Sequence, residues 1–146
     1  MYTDINFTKL NYNAKNPVCG SADAAGHDLS AAIDTNVLIP PHQTVKIPTG
    51  ISVELPKNTF GGIYARSGIA SREGLRPANC TGVIDSDYRG EIIVALHNDS
   101  DTHRIVEPGE RIAQLIVQPY IRARYVEASN LSTTDRGSGG FGSTGK

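Results

Sequence analysis

The apolar residues of this chain recur at every second position rather than at the helical spacing of three and four. Val37-Leu-Ile39, Thr44-Val-Lys-Ile47, Gly50-Ile-Ser-Val-Glu-Leu55, Phe60 to Ala65, Glu91 to Leu96 and Arg111 to Val117 carry that period. Successive side chains of a strand point to opposite faces, so these segments are predicted strands. Pro40-Pro41, Pro48-Thr-Gly50, Pro56-Lys-Asn58, Asn98-Asp-Ser-Asp101 and Pro108-Gly109 separate several of them. Short strands at such spacing predict an all-β domain: a sandwich, a jelly roll or a barrel. Ser67-Gly-Ile-Ala-Ser-Arg72 breaks the alternation and predicts one short helical turn, with Ser67 near its N-terminus.

The 146 residues suit one domain. Fourteen Lys and Arg stand against 15 Asp and Glu, a net charge of −1. That balance offers no basic field for nucleic acid and no basic stripe for a membrane surface. No apolar run reaches a transmembrane length, and the first residues lack the regions of a signal peptide. A soluble, cytoplasmic protein is the expectation. Cys19 and Cys80 are then expected as free thiols. His27, His42, His97 and His103 show no ligand spacing, which argues against a transition metal held by the protein.

The last residues read Arg136-Gly-Ser-Gly-Gly-Phe141-Gly142-Ser143-Thr144-Gly-Lys146. A segment this rich in Gly buries no core and is costly to order. Its other residues are a guanidinium, an aromatic ring and two hydroxyls, a set able to hold a phosphorylated ligand with a flat ring. The chain thus divides into a β domain over residues 1–131 and a flexible arm over 132–146.

Four further segments depart from plain β structure. In Ala24-Ala-Gly26-His-Asp28-Leu29, Asp beside Gly reads first as turn chemistry. In Tyr64-Ala-Arg66-Ser67-Gly68, an Arg at a strand-to-helix junction can bind phosphate or make a surface ion pair. Asn79-Cys-Thr-Gly82-Val-Ile-Asp85-Ser-Asp87-Tyr88-Arg89-Gly90-Glu91 reads as a β-hairpin whose loop displays carboxylates and an aromatic. In Pro108-Gly-Glu110-Arg111-Ile-Ala-Gln114-Leu115, two polar residues interrupt an apolar strand, as on the wet face of an edge strand.

The five segments, in this order and spacing, resemble the five motifs of the trimeric dUTPases, from about Ala24 to Gly145. Gly82 to Gly90 and Arg136 to Gly145 are the most specific parts. The resemblance implies a jelly-roll-like subunit with one short helix, in a homotrimer. Active sites would lie between subunits, and the arm of one chain would close a neighbouring site. About ten extended residues reach roughly 33 Å, against a domain radius of gyration near roughly 15 Å.

The implied reaction is hydrolysis of dUTP to dUMP and pyrophosphate. Asp85 matches the carboxylate that activates water for in-line attack on the α-phosphorus. Tyr88 matches the ring that packs on deoxyribose and excludes a 2′-hydroxyl. The backbone at Gly82, Val83, Ile84 and Ile93, with the Asn79 side chain, matches the uracil reader. Arg66, Ser67, Gly68 and Gln114 match phosphate contacts. From the arm, Phe141 matches a ring over uracil, Arg136 a cation for the γ-phosphate, and Gly142, Ser143 and Thr144 further phosphate contacts. Magnesium would be held by phosphates and water with no direct protein ligand, Asp28 and Gln114 acting through water. His27, Thr81 and Glu110 depart from the commonest family spelling, and Thr81 lies beside the uracil reader.

Two rivals share the scaffold. A dCTP deaminase needs an acid/base Glu, and none precedes Gly90 in the hairpin; Glu91 follows the loop. A non-catalytic trimeric binding module would not need the full set of catalytic side chains present here.

Overall fold

The period-two segments fold as strands close to their predicted bounds. The computed structural model describes residues 3–140. In chain order the elements are β1 (Asn6–Lys9), β2 (Val18–Cys19), β3 (His27–Ser30), β4 (Val37–Ile39), β5 (Thr44–Pro48), β6 (Ile51–Glu54), β7 (Thr59–Tyr64), α1 (Ser67–Glu73), β8 (Leu75–Pro77), β9 (Gly82–Asp85), β10 (Ile93–Asn98), β11 (Arg104–Val106) and β12 (Arg111–Pro119). A five-stranded sheet runs β2-β3-β12-β7-β9, and a three-stranded sheet runs β5-β10-β8. The pairs β1-β6 and β4-β11 complete the framework.

All of these ladders are antiparallel, so strands can bury one face and solvate the other. In β10, Val94, Leu96 and Asn98 are buried, while Ile93, Ala95 and His97 alternate outward. Val94 and Leu96 meet Leu29 of β3, Ile63 of β7 and Leu115 of β12 in one core cluster, joined by Ile39, Ile47, Ile51 and Val106. Fully burying one such side chain stabilises by about 1.5–3 kcal/mol. In β12 the alternation fails where Ile112 and Ala113 are both buried, because the register with β3 shifts between Arg111 and Ala113. A bulge of this kind re-aims the side chains around it.

Asn98 is fully buried and fully satisfied. Its Nδ2 donates to Ile39 O at 3.0 Å and Thr102 O at 2.8 Å, and its Oδ1 accepts from Ser100 N and Oγ. The helix α1 has Arg66 as its N-cap, in extended conformation, and ends at Gly74 with φ 70°. It therefore begins one residue after Arg66 and leaves that guanidinium at the seam between β7 and the helix.

Regular structure ends at Pro119, and residues 120–140 carry neither helix nor strand. Ile121, Tyr125, Val126 and Leu131 are exposed in the single chain. Cys19 and Cys80 are both free thiols and exposed. No helix among the described residues is long and apolar enough to cross a membrane.

Candidate active site

Gly82–Asp85 and Ile93–Asn98 do not form the paired hairpin that the sequence suggests. β9 pairs with β7 at the edge of one sheet, whereas β10 pairs with β5 and β8 in another. The two arms diverge because each finds a non-local partner. A cavity of about 310 Å³ opens between them. Ile63, Pro77 and Val94 give it a buried apolar side, and Val83, Ile93 and Tyr88 give it an exposed one. Asn79, Gly82, Ile84, Asp85 and Glu91 also line it. β9 is an edge strand, so its second edge has backbone groups without a ladder partner. Such an edge can pair with the rim of a flat heterocycle, a mode of recognition that uses backbone alone.

The turn from Asp85 to Tyr88 is closed by Tyr88 N donating to Asp85 O at 3.1 Å. Asp85 is exposed and lines the cavity. The Tyr88 hydroxyl donates to Glu91 O at 3.0 Å.

A second cluster gathers around Asp28. This residue is in β3, not in a turn: it pairs with Val18 of β2 and Gln114 of β12. Gln114 pairs in turn with Tyr64 of β7, so Asp28, Gln114 and Tyr64 lie level across three strands. The strand bearing Arg111 and Gln114 is central to its sheet, not an edge strand. Its polar side chains Arg111 and Gln114 each have a hydrogen-bond partner. Arg66 Nε donates to Asp28 Oδ1 at 2.9 Å, and an Arg111 NH donates to Asp28 Oδ2 at 3.1 Å. Arg66 also reaches Arg111 O at 3.2 Å, and Gln114 Nε2 donates to Ala65 O at 2.9 Å.

The Asp28 side chain is only 12% exposed, against 26% for Arg66 and 51% for Arg111. One carboxylate thus faces two guanidiniums, and the surplus positive charge suits an anionic ligand. Arg111 is the member of this cluster that motif matching did not place in the site. Its signal was a charged residue inside an apolar strand, which a buried carboxylate partner elsewhere would explain.

Ser67 and Gly68 open α1 beside Arg66, with Ser67 exposed. None of Arg66, Ser67, Gly68 or Gln114 lines the β9–β10 cavity. Arg136 is exposed, and its Nε donates to Gly139 O at 2.8 Å. Phe141, Gly142, Ser143 and Thr144 lie outside the described residues.

Among the described residues, no group of three or more His, Cys, Asp or Glu side chains converges on one point. The two guanidinium bonds occupy one site on each Asp28 oxygen. A carboxylate has about four acceptor sites, so Asp28 retains capacity for water. That donor set fits a hydrated magnesium ion carried by phosphates, an ion that gives up its water reluctantly.

Residues 12–145 match the family model described as dUTPase. The chain belongs to the dUTPase family. The deoxyuridine 5'-triphosphate nucleotidohydrolase of Desulfitobacterium hafniense is 49% identical over 132 residues, covering 90% of this chain and 87% of that protein. The protein of the same description from a Hydrogenobaculum species is 46% identical and covers 94% of both chains. The Staphylococcus bacteriophage 80alpha dUTPase, solved with dUpNHpp, superposes with a TM-score of 0.91 at 26% identity, covering 99% of this chain and 100% of that one. The jelly-roll β fold of the dUTPases is the fold of this chain.

Proposed function

We propose that this dUTPase-family chain hydrolyses dUTP to dUMP and pyrophosphate, in a homotrimer whose active sites lie between subunits. The observation that carries the proposal is the division of the site. The β9–β10 cavity offers a base edge, an aromatic ring and Asp85, while Arg66, Ser67, Gly68 and Gln114 lie outside it. One chain holds two parts of a nucleotide site, and an assembly of like chains can join them.

The β9 edge and Asn79 read uracil by backbone and amide hydrogen bonds. A base with the opposite donor pattern leaves buried groups unpaired and is rejected strongly. Tyr88 packs on the deoxyribose and excludes a 2′-hydroxyl. Asp85 accepts the proton of the attacking water and aims it at the α-phosphorus. Positioning and electrostatics carry most of a phosphoryl reaction, so a modest base suffices. Arg66, held by Asp28, and the Ser67-Gly68 backbone bind phosphate oxygens, with Gln114 beside them. Magnesium on the triphosphate would neutralise phosphate charge, with Asp28 and Gln114 holding its water. Arg136 and Phe141 of the arm close the site of a neighbour.

Pyrophosphate release from dUTP, dCTP, dTTP and UTP, measured side by side, tests the reaction; equal turnover of UTP and dUTP removes the role of Tyr88. Subunit mixing tests the shared site. Asp85→Asn and Arg66→Ala homotrimers should each be nearly inactive. Random reassembly of the two should restore about a quarter of the wild-type sites, since an intact Asp85 from one chain then meets an intact Arg66 from another. Mixed trimers with no recovered activity would confine each site to one chain.

A further inference from the structure

The segment Asp85-Ser-Asp-Tyr-Arg-Gly90 has no apolar side chain to bury beyond its Tyr ring, yet that ring must sit at a defined distance from a sugar. The segment is pinned from beneath by β6 and the residues before it. Glu91 Oε1 accepts Gly50 N–H at 2.7 Å, Ser52 Oγ donates to Arg89 O at 2.7 Å, and Ile92 N donates to Ile51 O at 2.8 Å. Gly50 has φ +66°, and a Cβ there would lie 2.7 Å from the Cβ of buried Ala14. Its N–H is therefore a fixed point of the fold rather than a loose loop donor.

From that fixed point the contacts lead to the ring. The Glu91 carboxylate is held by Gly50, and the Glu91 carbonyl accepts the Tyr88 hydroxyl at 3.0 Å. The ring lies against Gly90, where a Cβ would come within 2.5 Å of Tyr88 Cζ. The hydroxyl end of Tyr88 is thus set by residues 90 and 91. Glu91 lines the cavity, and its Oε1 accepts a backbone N–H from outside it.

We infer that Glu91 is a positioning residue for sugar discrimination, acting through Tyr88 and not on the nucleotide. Its carboxylate anchors the loop to Gly50, and the anchored carbonyl fixes the Tyr88 ring where a 2′-hydroxyl would otherwise fit. This rests on the cavity being the base and sugar site of a dUTP hydrolase. Gln keeps an oxygen able to accept the Gly50 N–H, whereas Ala does not. The two substitutions therefore separate anchoring from proton transfer.

The test is kcat/KM for dUTP and for UTP in wild type, Glu91→Gln, Glu91→Ala, Tyr88→Phe and the Tyr88→Phe/Glu91→Ala pair. Glu91→Ala should lower the preference for dUTP over UTP on the order of tenfold, the worth of one hydrogen bond to a charged group. Glu91→Gln should stay within about threefold of wild type, because the anchoring bond survives. Tyr88→Phe should lose part of the same preference, and adding Glu91→Ala to it should change little, since both act through one contact.

A folded Glu91→Ala with wild-type discrimination overturns the inference. So does a Glu91→Gln as impaired as Glu91→Ala, which would make the group an acid or base. Should Glu91→Ala not fold, unchanged UTP rejection by Tyr88→Phe overturns it equally. A wild type that turns over UTP and dUTP alike removes the functional proposal and this inference with it. A discriminating wild type with an unaffected Glu91→Ala removes this inference alone.

Discussion

Asp28→Asn should destabilise the folded chain by about 2 kcal/mol and weaken dUTP binding at the same time. The carboxylate is 12% exposed and carries one guanidinium on each oxygen. Hydrogen bonds to charged groups contribute about 1.5–3 kcal/mol each. Asn is nearly isosteric, keeps one acceptor oxygen and turns an NH2 toward the other guanidinium. The oxygen should stay with Arg66, because Arg111 is half exposed and can rotate into water. The loss is then the Arg111 bond, discounted for solvent screening, plus a weaker bond to Arg66. Urea unfolding of the full chain at one fixed protomer concentration measures it, since assembly makes stability concentration-dependent. Steady-state KM for dUTP gives the second readout, because Arg66 loses the charge that orients it. The same measurements on Arg111→Gln and the double variant should give a coupling energy near the single losses. An unchanged urea midpoint and an unchanged KM would mean that Asp28 orients neither arginine.

Asp85→Asn should retain tight binding of a non-hydrolysable dUTP analogue and lose turnover on the order of 10²–10⁴-fold; a near-wild-type kcat would assign the base to another residue. Truncation after Asp135 should leave the β domain folded by circular dichroism, because among the described residues, residues 136–140 bond only to one another and to Thr134. The same truncation should depress turnover sharply, and full kcat and KM would make the arm a passive end. Arg76 grips Asp99 with two bonds of 2.6 and 3.0 Å and holds its carboxyl below the ordinary carboxylate range. With the folded value depressed, this pair contributes stability above the unfolded pKa near about 4 and loses it as pH falls through the depressed value. The stability difference between wild type and Asp99→Asn should therefore be level at neutral pH and shrink in acid, measured by urea midpoints from neutral pH downward.

What the sequence made legible depended on how locally each feature is determined. β5 and β10 showed their period because their own alternation encodes one buried face. β1 has all four side chains exposed and β2 is two residues long, so neither carries a pattern to find. Asp28 reads as a turn residue by its neighbours, but its place in β3 is stabilised by Arg66 and Arg111, 38 and 83 positions away. The two arms around Asp85 were visible with their loop. Their divergence was not, since it depends on β7 capturing β9 and on β5 and β8 capturing β10. Glu91 looked like a bystander after the loop because its partner, the Gly50 N–H, is 41 positions distant.

The divergence of β9 and β10 leaves room for the proposed nucleotide site between two sheets. With β7 already on one edge of β9, pairing with β10 on the other would leave β9 no unpartnered backbone to read a base. Separation into two sheets leaves an edge on β9 and a cavity beside it, at the usual risk that an open edge recruits unwanted strands. The loop between the arms is tied further to Gly50 and β6 through Glu91, Ser52 and Ile92. The Asp28 cluster is stiffened separately, by a carboxylate between two guanidiniums. In the proposed trimer each half would be preorganised within its own chain. Assembly would then have only to bring the halves together, with little further ordering cost at the moment of binding. The exposed Ile121, Tyr125, Val126 and Leu131 fit the same logic, since apolar side chains left in water by one chain favour burial against another.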